Sequence, residues 1–203
     1  MTPDRSGPVG VILAAGRSRR FGRDKRWADC RGRYLLAHAV DVATAVCPRV
    51  LLVVDRRHPR LDELPGRTSL EVLVCPDSAA GLWASRCCAL NHLAAGADHP
   101  SGVLFFLGDM PDLQPVEAAR VAARMLETDC PARPVHSGQP GHPVAFPGRL
   151  LGALHAARGR GMRECFASHG GLLLECADPS VIRDVDRPED LIPPAGTVDT
   201  PRG

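Results

Sequence analysis

The chain has 203 residues, of which 44% are hydrophobic and 24% are charged, and its formal net charge at pH 7 is +2. This length suits one domain, which we place at residues 1–192, and the composition of residues 193–203 predicts a disordered tail. A near-balanced charge with only 4% aromatic residues argues against a nucleic-acid-binding surface. The apolar stretch at residues 9–15 is too short for a membrane span or a signal peptide, so we expect a cytoplasmic protein with no membrane partner.

Apolar runs of strand length alternate with segments of helical periodicity, a pattern typical of a sheet flanked by helices. The first half predicts strands at 9–15, 50–54, 70–74 and 103–107, and helices at 35–46 and 82–95. The second half predicts helices at 116–126, 150–157 and 162–168, and short strands around residue 135 and at 144–146, 172–176 and 181–184. Later strands that close over an earlier parallel core predict a single-domain, three-layer α/β/α Rossmann-like fold with a mixed, mainly parallel sheet.

A basic loop punctuated by two glycines follows the first predicted strand. The glycines can take backbone angles that turn successive N–H groups inward toward a polyphosphate, and five cations supply positive charge. These residues are Gly16, Arg17, Arg19, Arg20, Gly22, Arg23 and Lys25. Their spacing fits neither the P-loop nor the dinucleotide-binding motif. The loop therefore predicts a triphosphate cradle of another kind.

Lys25 is the only lysine in a chain with 24 arginines. The two cations bind phosphate differently, because an ammonium is a compact point charge and a guanidinium is a planar fork. A single lysine in one sequence can be accidental. Its place directly after the loop nevertheless favours a role as a phosphate ligand.

Asp109 follows the most apolar of the predicted strands, in the segment Gly108-Asp-Met-Pro111. Ligands of open α/β sheets gather beyond the carboxyl ends of the strands, so this carboxylate would face the same crevice as the basic loop. A hard oxygen ligand there suits Mg²⁺. An aspartate at this point could equally cap the helix that begins near Leu113 or form a turn.

Asp184 and Asp186 follow a short predicted strand near the C-terminus. Their i, i+2 spacing would place both carboxylates on one face if the strand continued. The same residues also fit a helix start, with Asp186 as the N-cap and Pro188 in the first turn. Both interpretations remain open on the sequence alone.

Four motifs in a fixed order closely resemble the molybdenum cofactor nucleotidyltransferases, which belong to the GT-A-like nucleotidyltransferase superfamily. The motifs are Leu13-Ala-Ala-Gly-Arg-Ser-Arg-Arg-Phe-Gly22 with Lys25, Gly108-Asp-Met-Pro111, Gly141-His-Pro-Val144 and Asp184-Val-Asp-Arg-Pro-Glu-Asp-Leu191. The resemblance covers residues 9–191. Ala15 and the Gly-His-Pro-Val motif are more similar to the cytidylyltransferase branch than to the guanylyltransferase branch.

The resemblance implies transfer of CMP from CTP to molybdopterin, with release of pyrophosphate and with Mg²⁺ held by Asp109 and by Asp184 or Asp186. It makes Lys25, Arg19 and Asp109 the catalytic residues. The two cations would stabilise the triphosphate and its departing pyrophosphate, and Asp109 would hold the metal. The nucleotide-binding residues that it implies are Leu13, Ala14, Ala15, Gly16, Arg17, Ser18, Arg19, Gly22, Lys25, Asp77, Gly81, Ser85 and Gly108. The acceptor-binding residues are Gly141, His142 and Pro143, although a histidine at such a turn is usually a packing residue.

Several positions depart from the family pattern, among them Tyr34, which stands where the family has a proline. Cys75 replaces an asparagine, Arg86 replaces a leucine, and Arg160 replaces a carboxylate that would belong to the acceptor pocket. Two alternatives therefore stay open: a sugar-phosphate nucleotidyltransferase that would share Asp109 and Lys25, or a non-catalytic cofactor-binding protein that delivers molybdenum cofactor to a molybdoenzyme.

Overall fold

The computed structural model describes residues 7–16, 18, 20–56, 58–66, 68–76, 81–96, 99–157 and 161–191. The α-helices are α1 (Leu35–Val46), α2 (Leu82–Ala95), α3 (Pro115–Thr128), α4 (Leu151–Ala156) and α5 (Gly161–Ser168). The strands are β1 (Val9–Leu13), β2 (Asp29–Cys30), β3 (Arg33–Tyr34), β4 (Arg49–Val54), β5 (Leu70–Val74), β6 (Gly102–Leu107), β7 (Ala132–His136), β8 (Gln139–Pro140), β9 (Val144–Pro147) and β10 (Leu172–Glu175). Short 3₁₀ helices connect several of them.

Eight strands of the described chain form one sheet, in the order β10-β7-β9-β6-β1-β4-β5, with β8 paired to β7. Strands β6, β1, β4 and β5 run parallel, and β10 runs parallel to β7. Strand β9 is antiparallel to both of its neighbours, β6 and β7. The prediction of a mixed, mainly parallel sheet is confirmed. Strands β2 and β3 form a separate antiparallel hairpin.

Each face of the sheet carries its own apolar core. Side chains alternate along the strands, so Phe106 packs on the side of α1 and α3, whereas Phe105 packs on the side of α2, α4 and α5. Both rings are fully buried. A strand that is covered on both faces reads as one continuous apolar run, which explains why the sequence predicts β6 so clearly. Helices on both faces confirm the three-layer architecture.

The predicted strand at 181–184 is wrong. A 3₁₀ helix, Pro179–Ile182, takes its place, and the side chain of Asp178 caps it by accepting a hydrogen bond from the backbone N–H of Ser180. The backbone carbonyl of Val181 accepts from the N–H of His142 rather than from a neighbouring strand. A proline after a capping aspartate favours a helical turn over an extended strand.

The predicted tail, residues 193–203, lies outside the described residues, so the domain limit and the tail stay predictions. Within the described part of the chain, no helix combines the length and apolarity that a membrane crossing requires.

Candidate active site

The basic loop and the segment that contains Asp109 both begin at the same edge of the sheet. Strands β1 and β6 are neighbours in register, with Leu13 opposite Leu107. The N–H of Gly108 then donates to the carbonyl of Leu13 at 3.2 Å, so the two segments of the chain separate only after their strands end. A Cβ on Gly108 would lie 3.0 Å from the Cβ of Ala14, which explains the glycine at this close approach. Two segments distant in sequence therefore enter one crevice.

Lys25 lies at the centre of this crevice. Its ammonium donates to Asp109 Oδ2 at 2.6 Å and to the carbonyl of Val185 at 2.7 Å, and it lies 3.5 Å from Asp186 Oδ1. Only 15% of the Lys25 side chain is exposed. Its backbone N–H donates to the hydroxyl of Ser18 at 3.3 Å, which folds the loop back on itself. The structure thus brings the lysine, Asp109 and the C-terminal acidic motif together.

Asp109, Asp184 and Asp186 converge around the same point. Each offers one carboxylate oxygen such that the three oxygens lie within 4.8 Å of one another. Oδ1 of Asp109 is buried and has no hydrogen-bond partner among the described residues. Burial raises the pKa of Asp109 above its usual range, and the two neighbouring carboxylates act in the same direction, while Lys25 opposes them. An orphaned buried oxygen within an acidic cluster fits a hard divalent cation.

A cleft of about 410 Å³ opens above these groups, a size within the range of small-molecule sites. It is lined by Leu13, Ala14, Gly16, Ser18, Arg20, Lys25, Arg26, Leu82, Leu107, Gly108, Asp109, Asp184 and Asp186. Arg20 forms an ion pair with Asp186 across its mouth. Among the other loop residues predicted to bind nucleotide, Ala15 is buried and Gly22 lines a second concavity beside the loop. Arg17 and Arg19 lie outside the described residues.

A buried arginine fixes the start of the loop. The guanidinium of Arg26 donates to both carboxylate oxygens of Asp24 at 2.7 Å, to Asp55 Oδ1 at 2.8 Å and to the carbonyl of Ala14 at 3.0 Å. Only 5% of Arg26 is exposed. Burial opposes its charge, but the two carboxylates prevail and raise the pKa of Arg26. The network holds the carbonyl of Ala14, and with it the backbone entering the cleft, in one orientation.

The second predicted nucleotide segment reaches the cleft through the start of α2. Gly81 precedes the helix with φ +98°, a conformation that favours glycine, and Leu82 lines the cleft. Ser85 is buried and does not line it. Arg86 is also buried and donates to the carbonyl of Ala157 at 3.1 Å, beyond the end of α4. Asp77 lies outside the described residues, as does Arg160.

The Gly-His-Pro segment lies further along the same sheet and does not line the cleft. A Cβ on Gly141 would clash with the carbonyl of Val181, so only glycine fits. His142 places Nδ1 3.5 Å from the carbonyl of Phe105, in β6, and Pro143 is buried. Burial lowers the pKa of His142 to about 4, and the nearby charge of Arg133 acts in the same direction. The ring is therefore neutral at physiological pH.

Comparison with known proteins identifies the family of the chain that forms this crevice. A family model described as the MobA-like NTP transferase domain matches residues 10–172. The chain belongs to this family. The molybdenum cofactor cytidylyltransferase of Escherichia coli is 28% identical over 184 residues, which are 90% of this chain and 92% of that protein. A probable molybdenum cofactor guanylyltransferase of Chloroflexus aggregans is 45% identical over 62 residues, 29% of each chain.

Solved structures share the fold of this chain. The crystal structure of Rv0371c from Mycobacterium tuberculosis superimposes with a TM-score of 0.73 at 26% identity, covering 92% of this chain and 96% of that one. A structure of Rv0371c in complex with manganese superimposes with a TM-score of 0.67 at 23% identity, covering 91% and 95%. The protein is thus a nucleotidyltransferase enzyme related to the molybdenum cofactor cytidylyl- and guanylyltransferases.

The MobA-like cleft is supported by residues that the sequence did not single out. Asp24, Arg26 and Asp55 form the network behind the loop, and Val185 supplies a carbonyl to Lys25. The sequence could have indicated that Asp55 lies near the cleft, because Asp55 directly follows β4, the strand next to β1. The rule that placed Asp109 at the carboxyl edge applies to it equally.

We expect His142 to make the MobA-like domain sensitive to mild acid. Its folded-state pKa, about 4, lies below the unfolded value of 6.5, so the native state requires the neutral ring. The corresponding stability is fully present above pH 6.5 and is lost as the pH falls toward 4, by up to about 3 kcal/mol. Urea unfolding at several pH values should therefore show a smaller acid loss for His142→Gln than for the wild type.

The other groups that titrate in acid are the same in the wild type and in His142→Gln. The difference between the acid losses of stability of the two proteins therefore reports on His142 alone. The exposed His99 provides a matched control, and His99→Gln should keep the wild-type pH dependence. Equal acid losses of stability in wild type and His142→Gln would refute the assignment of a neutral ring with a lowered pKa.

Proposed function

We propose that the protein transfers CMP from CTP to the phosphate of molybdopterin. An oxygen of the acceptor phosphate attacks the α-phosphorus of CTP, and the bond from that phosphorus to the bridging oxygen of the β-phosphate breaks. Pyrophosphate leaves with the electron pair of that bond. Such an in-line displacement needs positioning and charge neutralisation more than a protein nucleophile.

The observation that carries the proposal is the contact between Lys25, at the end of the loop, and Asp109. These residues are 84 positions apart in sequence and meet where β1 and β6 end. A polyphosphate in the cleft would contact the ammonium of Lys25 and the guanidinium of Arg20 at its β- and γ-phosphates. Both cations would stabilise the charge that develops on departing pyrophosphate. Arg19 is proposed to join them.

The acidic cluster fits the metal that this chemistry uses. Asp109 and Asp186, with Asp184 at the rim, would hold Mg²⁺, and the free buried oxygen Oδ1 of Asp109 is the natural first ligand. When bound, the ion would neutralise and polarise the phosphate oxygens of the nucleotide. The manganese complex of the structural neighbour is in keeping with a divalent ion here.

The choice of CTP and molybdopterin follows from the family resemblance. The cytidylyltransferase of Escherichia coli aligns along most of this chain, and Ala15 and the segment 141–144 match that branch. Cys75, which replaces the family asparagine, is buried at the end of β5, so any cytosine selectivity must use other groups. All eight cysteines are reduced thiols, which suits the cytoplasmic location that we also propose.

The test is a panel of CTP, GTP, ATP and UTP, each with Mg²⁺ and with or without molybdopterin, in which released pyrophosphate is measured. We expect pyrophosphate only when CTP and molybdopterin are both present, and none after chelation of the metal. A panel of sugar 1-phosphates replaces molybdopterin in a parallel series.

Each outcome selects among the functions that the sequence left open. Turnover with GTP instead of CTP would show that the nucleotide substrate is GTP and would leave molybdopterin as the acceptor. Pyrophosphate only with a sugar phosphate would replace the acceptor. Tight binding of molybdopterin with no turnover for any NTP would establish a delivery protein and refute the proposed transfer.

A further inference from the structure

We propose that Lys25 competes with the divalent ion for the carboxylates of Asp109 and Asp186, and that the nucleotide resolves this competition. The ammonium leaves the two carboxylates to the ion and moves to the triphosphate. The inference rests on the proposed function. It gives Lys25 a second task, as a cation that couples metal binding to nucleotide binding.

The two described cations that are assigned to the triphosphate are both bound to the acidic cluster of Asp109, Asp184 and Asp186. The ammonium of Lys25 donates to Asp109 Oδ2 at 2.6 Å and lies 3.5 Å from Asp186 Oδ1. Arg20 pairs with the other oxygen of Asp186. A divalent ion on the same carboxylates would lie beside these cations, and like charges at such short distances repel strongly. The cations therefore cannot keep these partners while the cluster holds a metal ion.

The free oxygen of Asp109 does not remove this competition. Oδ1 is buried and has no hydrogen-bond partner among the described residues, so a metal ion would bind there first. The ammonium contacts Oδ2 of the same carboxylate, and only 15% of the Lys25 side chain is exposed. Solvent screens charges poorly in so enclosed a position. Entry of the ion therefore favours departure of the ammonium.

Lys25 can change partners while its backbone stays in place. Its N–H donates to the hydroxyl of Ser18 at 3.3 Å. The next residue, Arg26, is buried and donates to the carbonyl of Ala14 at 3.0 Å, so the end of the loop is fixed. The lysine side chain is a flexible four-carbon stem. Its ammonium also donates to the carbonyl of Val185 at 2.7 Å, a neutral partner that it can keep while it releases the two carboxylates.

The exchange links the affinity for the metal to the affinity for the nucleotide. Among the described residues that line the cleft, the negative groups are the three carboxylates of the acidic cluster. An ammonium displaced by the ion alone therefore has no second carboxylate of the cleft lining to bind, whereas the triphosphate supplies anionic oxygens. Each ligand thus raises the affinity for the other, and coupling of this kind is reciprocal.

Because the chain has a single lysine, the exchange can be observed directly. Protein labelled with ¹³C and ¹⁵N in lysine alone gives one side-chain ammonium signal, which needs no assignment. Mg²⁺ is titrated alone, with CTP and with GTP, always without an acceptor. We expect a saturable shift of the Lys25 signal at Mg²⁺ concentrations about 10-fold lower with a nucleotide than without one. A signal that stays in place at saturating Mg²⁺ with both nucleotides would overturn the proposal.

Metal binding by Lys25→Gln provides the second readout, measured without nucleotide by the loss of the Mn²⁺ electron paramagnetic resonance signal. We expect this variant to bind Mn²⁺ about 10-fold more tightly than the wild type, because the competing cation is gone. Arg31→Gln is the matched control. It removes the same charge from a residue that pairs with Asp112 outside the acidic cluster, so its Mn²⁺ affinity should stay within about 2-fold of wild type. Equal or weaker Mn²⁺ binding by Lys25→Gln would refute the competition.

The lysine signal is measured on the wild type, so it tests the exchange even if Lys25→Gln fails to fold. The outcomes also separate the exchange from the proposed function. A shifting lysine signal without any pyrophosphate release from CTP and molybdopterin would refute the transfer and leave the exchange standing. Pyrophosphate release with an unmoved lysine signal would refute the exchange and leave the transfer standing.

Discussion

Asp109→Asn should reduce metal-dependent turnover about 10³-fold while leaving the fold intact. The substitution keeps the shape of the side chain and its acceptor oxygen for Lys25, but it removes the charge that would hold the divalent ion. Loss of several kcal/mol of transition-state stabilisation corresponds to a rate factor of this size. Pyrophosphate release with saturating CTP, molybdopterin and Mg²⁺ measures it.

Stability should change in the opposite direction from activity. Burial and the neighbouring carboxylates raise the pKa of Asp109, so its ionised form destabilises the native state at neutral pH and that cost disappears as the pH falls through the raised value. Without metal, the Asp109→Asn variant should therefore show a Tm equal to or higher than that of the wild type. Asp112→Asn is the matched control, because Asp112 is nearby and pairs with Arg31 outside the cluster. Wild-type turnover in Asp109→Asn would show that Asp109 is not a ligand of the catalytic metal.

The meeting of Lys25 and Asp109 could be anticipated because both follow buried parallel strands. Runs such as residues 103–107 are apolar throughout, so their type and end are unambiguous, and parallel strands expose their carboxyl ends at one edge. The bounds of α1 and α2 were predicted at the residues where the structure has them. In these cases local pattern and tertiary structure agree.

The C-terminal motif shows where local pattern is insufficient. The segment 181–184 is short and mixed in polarity. Whether it forms an extended strand depends on the cap that Asp178 provides and on the hydrogen bond from the N–H of His142 to the carbonyl of Val181. The sequence left the roles of Asp184 and Asp186 open for the same reason. In the structure, Asp186 contacts both Arg20 and Lys25, while Asp184 is exposed at the rim.

Buried charge is the other feature that the sequence did not reveal. Arg26 stands among other cations in the loop, and nothing in its spacing distinguishes it from exposed Arg23. Its burial depends on Asp55, which directly follows β4 and is distant in sequence. Pairing between residues distant in sequence is decided by the assembled sheet, so propensity and periodicity carry no signal for it.

Lys25→Arg should lower turnover about 100-fold although the charge is conserved. The ammonium of Lys25 directs its donors to Asp109 and to the carbonyl of Val185 in an enclosed position. A guanidinium is larger and planar, and it cannot reproduce that arrangement while also reaching a phosphate. Loss of one well-placed donor to developing charge typically costs a factor of about 10²–10³. Single-turnover measurements with saturating substrates report the effect on the chemical step.

Arg23→Lys makes the opposite exchange in the same loop and serves as the control. Arg23 is exposed and lies over the ring of Phe21, away from the acidic cluster, so turnover should stay within about 2-fold of wild type. Lys25→Met tests charge separately from shape. Removal of the ammonium leaves Asp109 and Asp186 with less compensation, so the metal-free protein should lose stability at neutral pH and regain part of it on addition of Mg²⁺. Wild-type kinetics for Lys25→Arg would show that any cation suffices at this position, and the single lysine of the chain would then have no catalytic meaning.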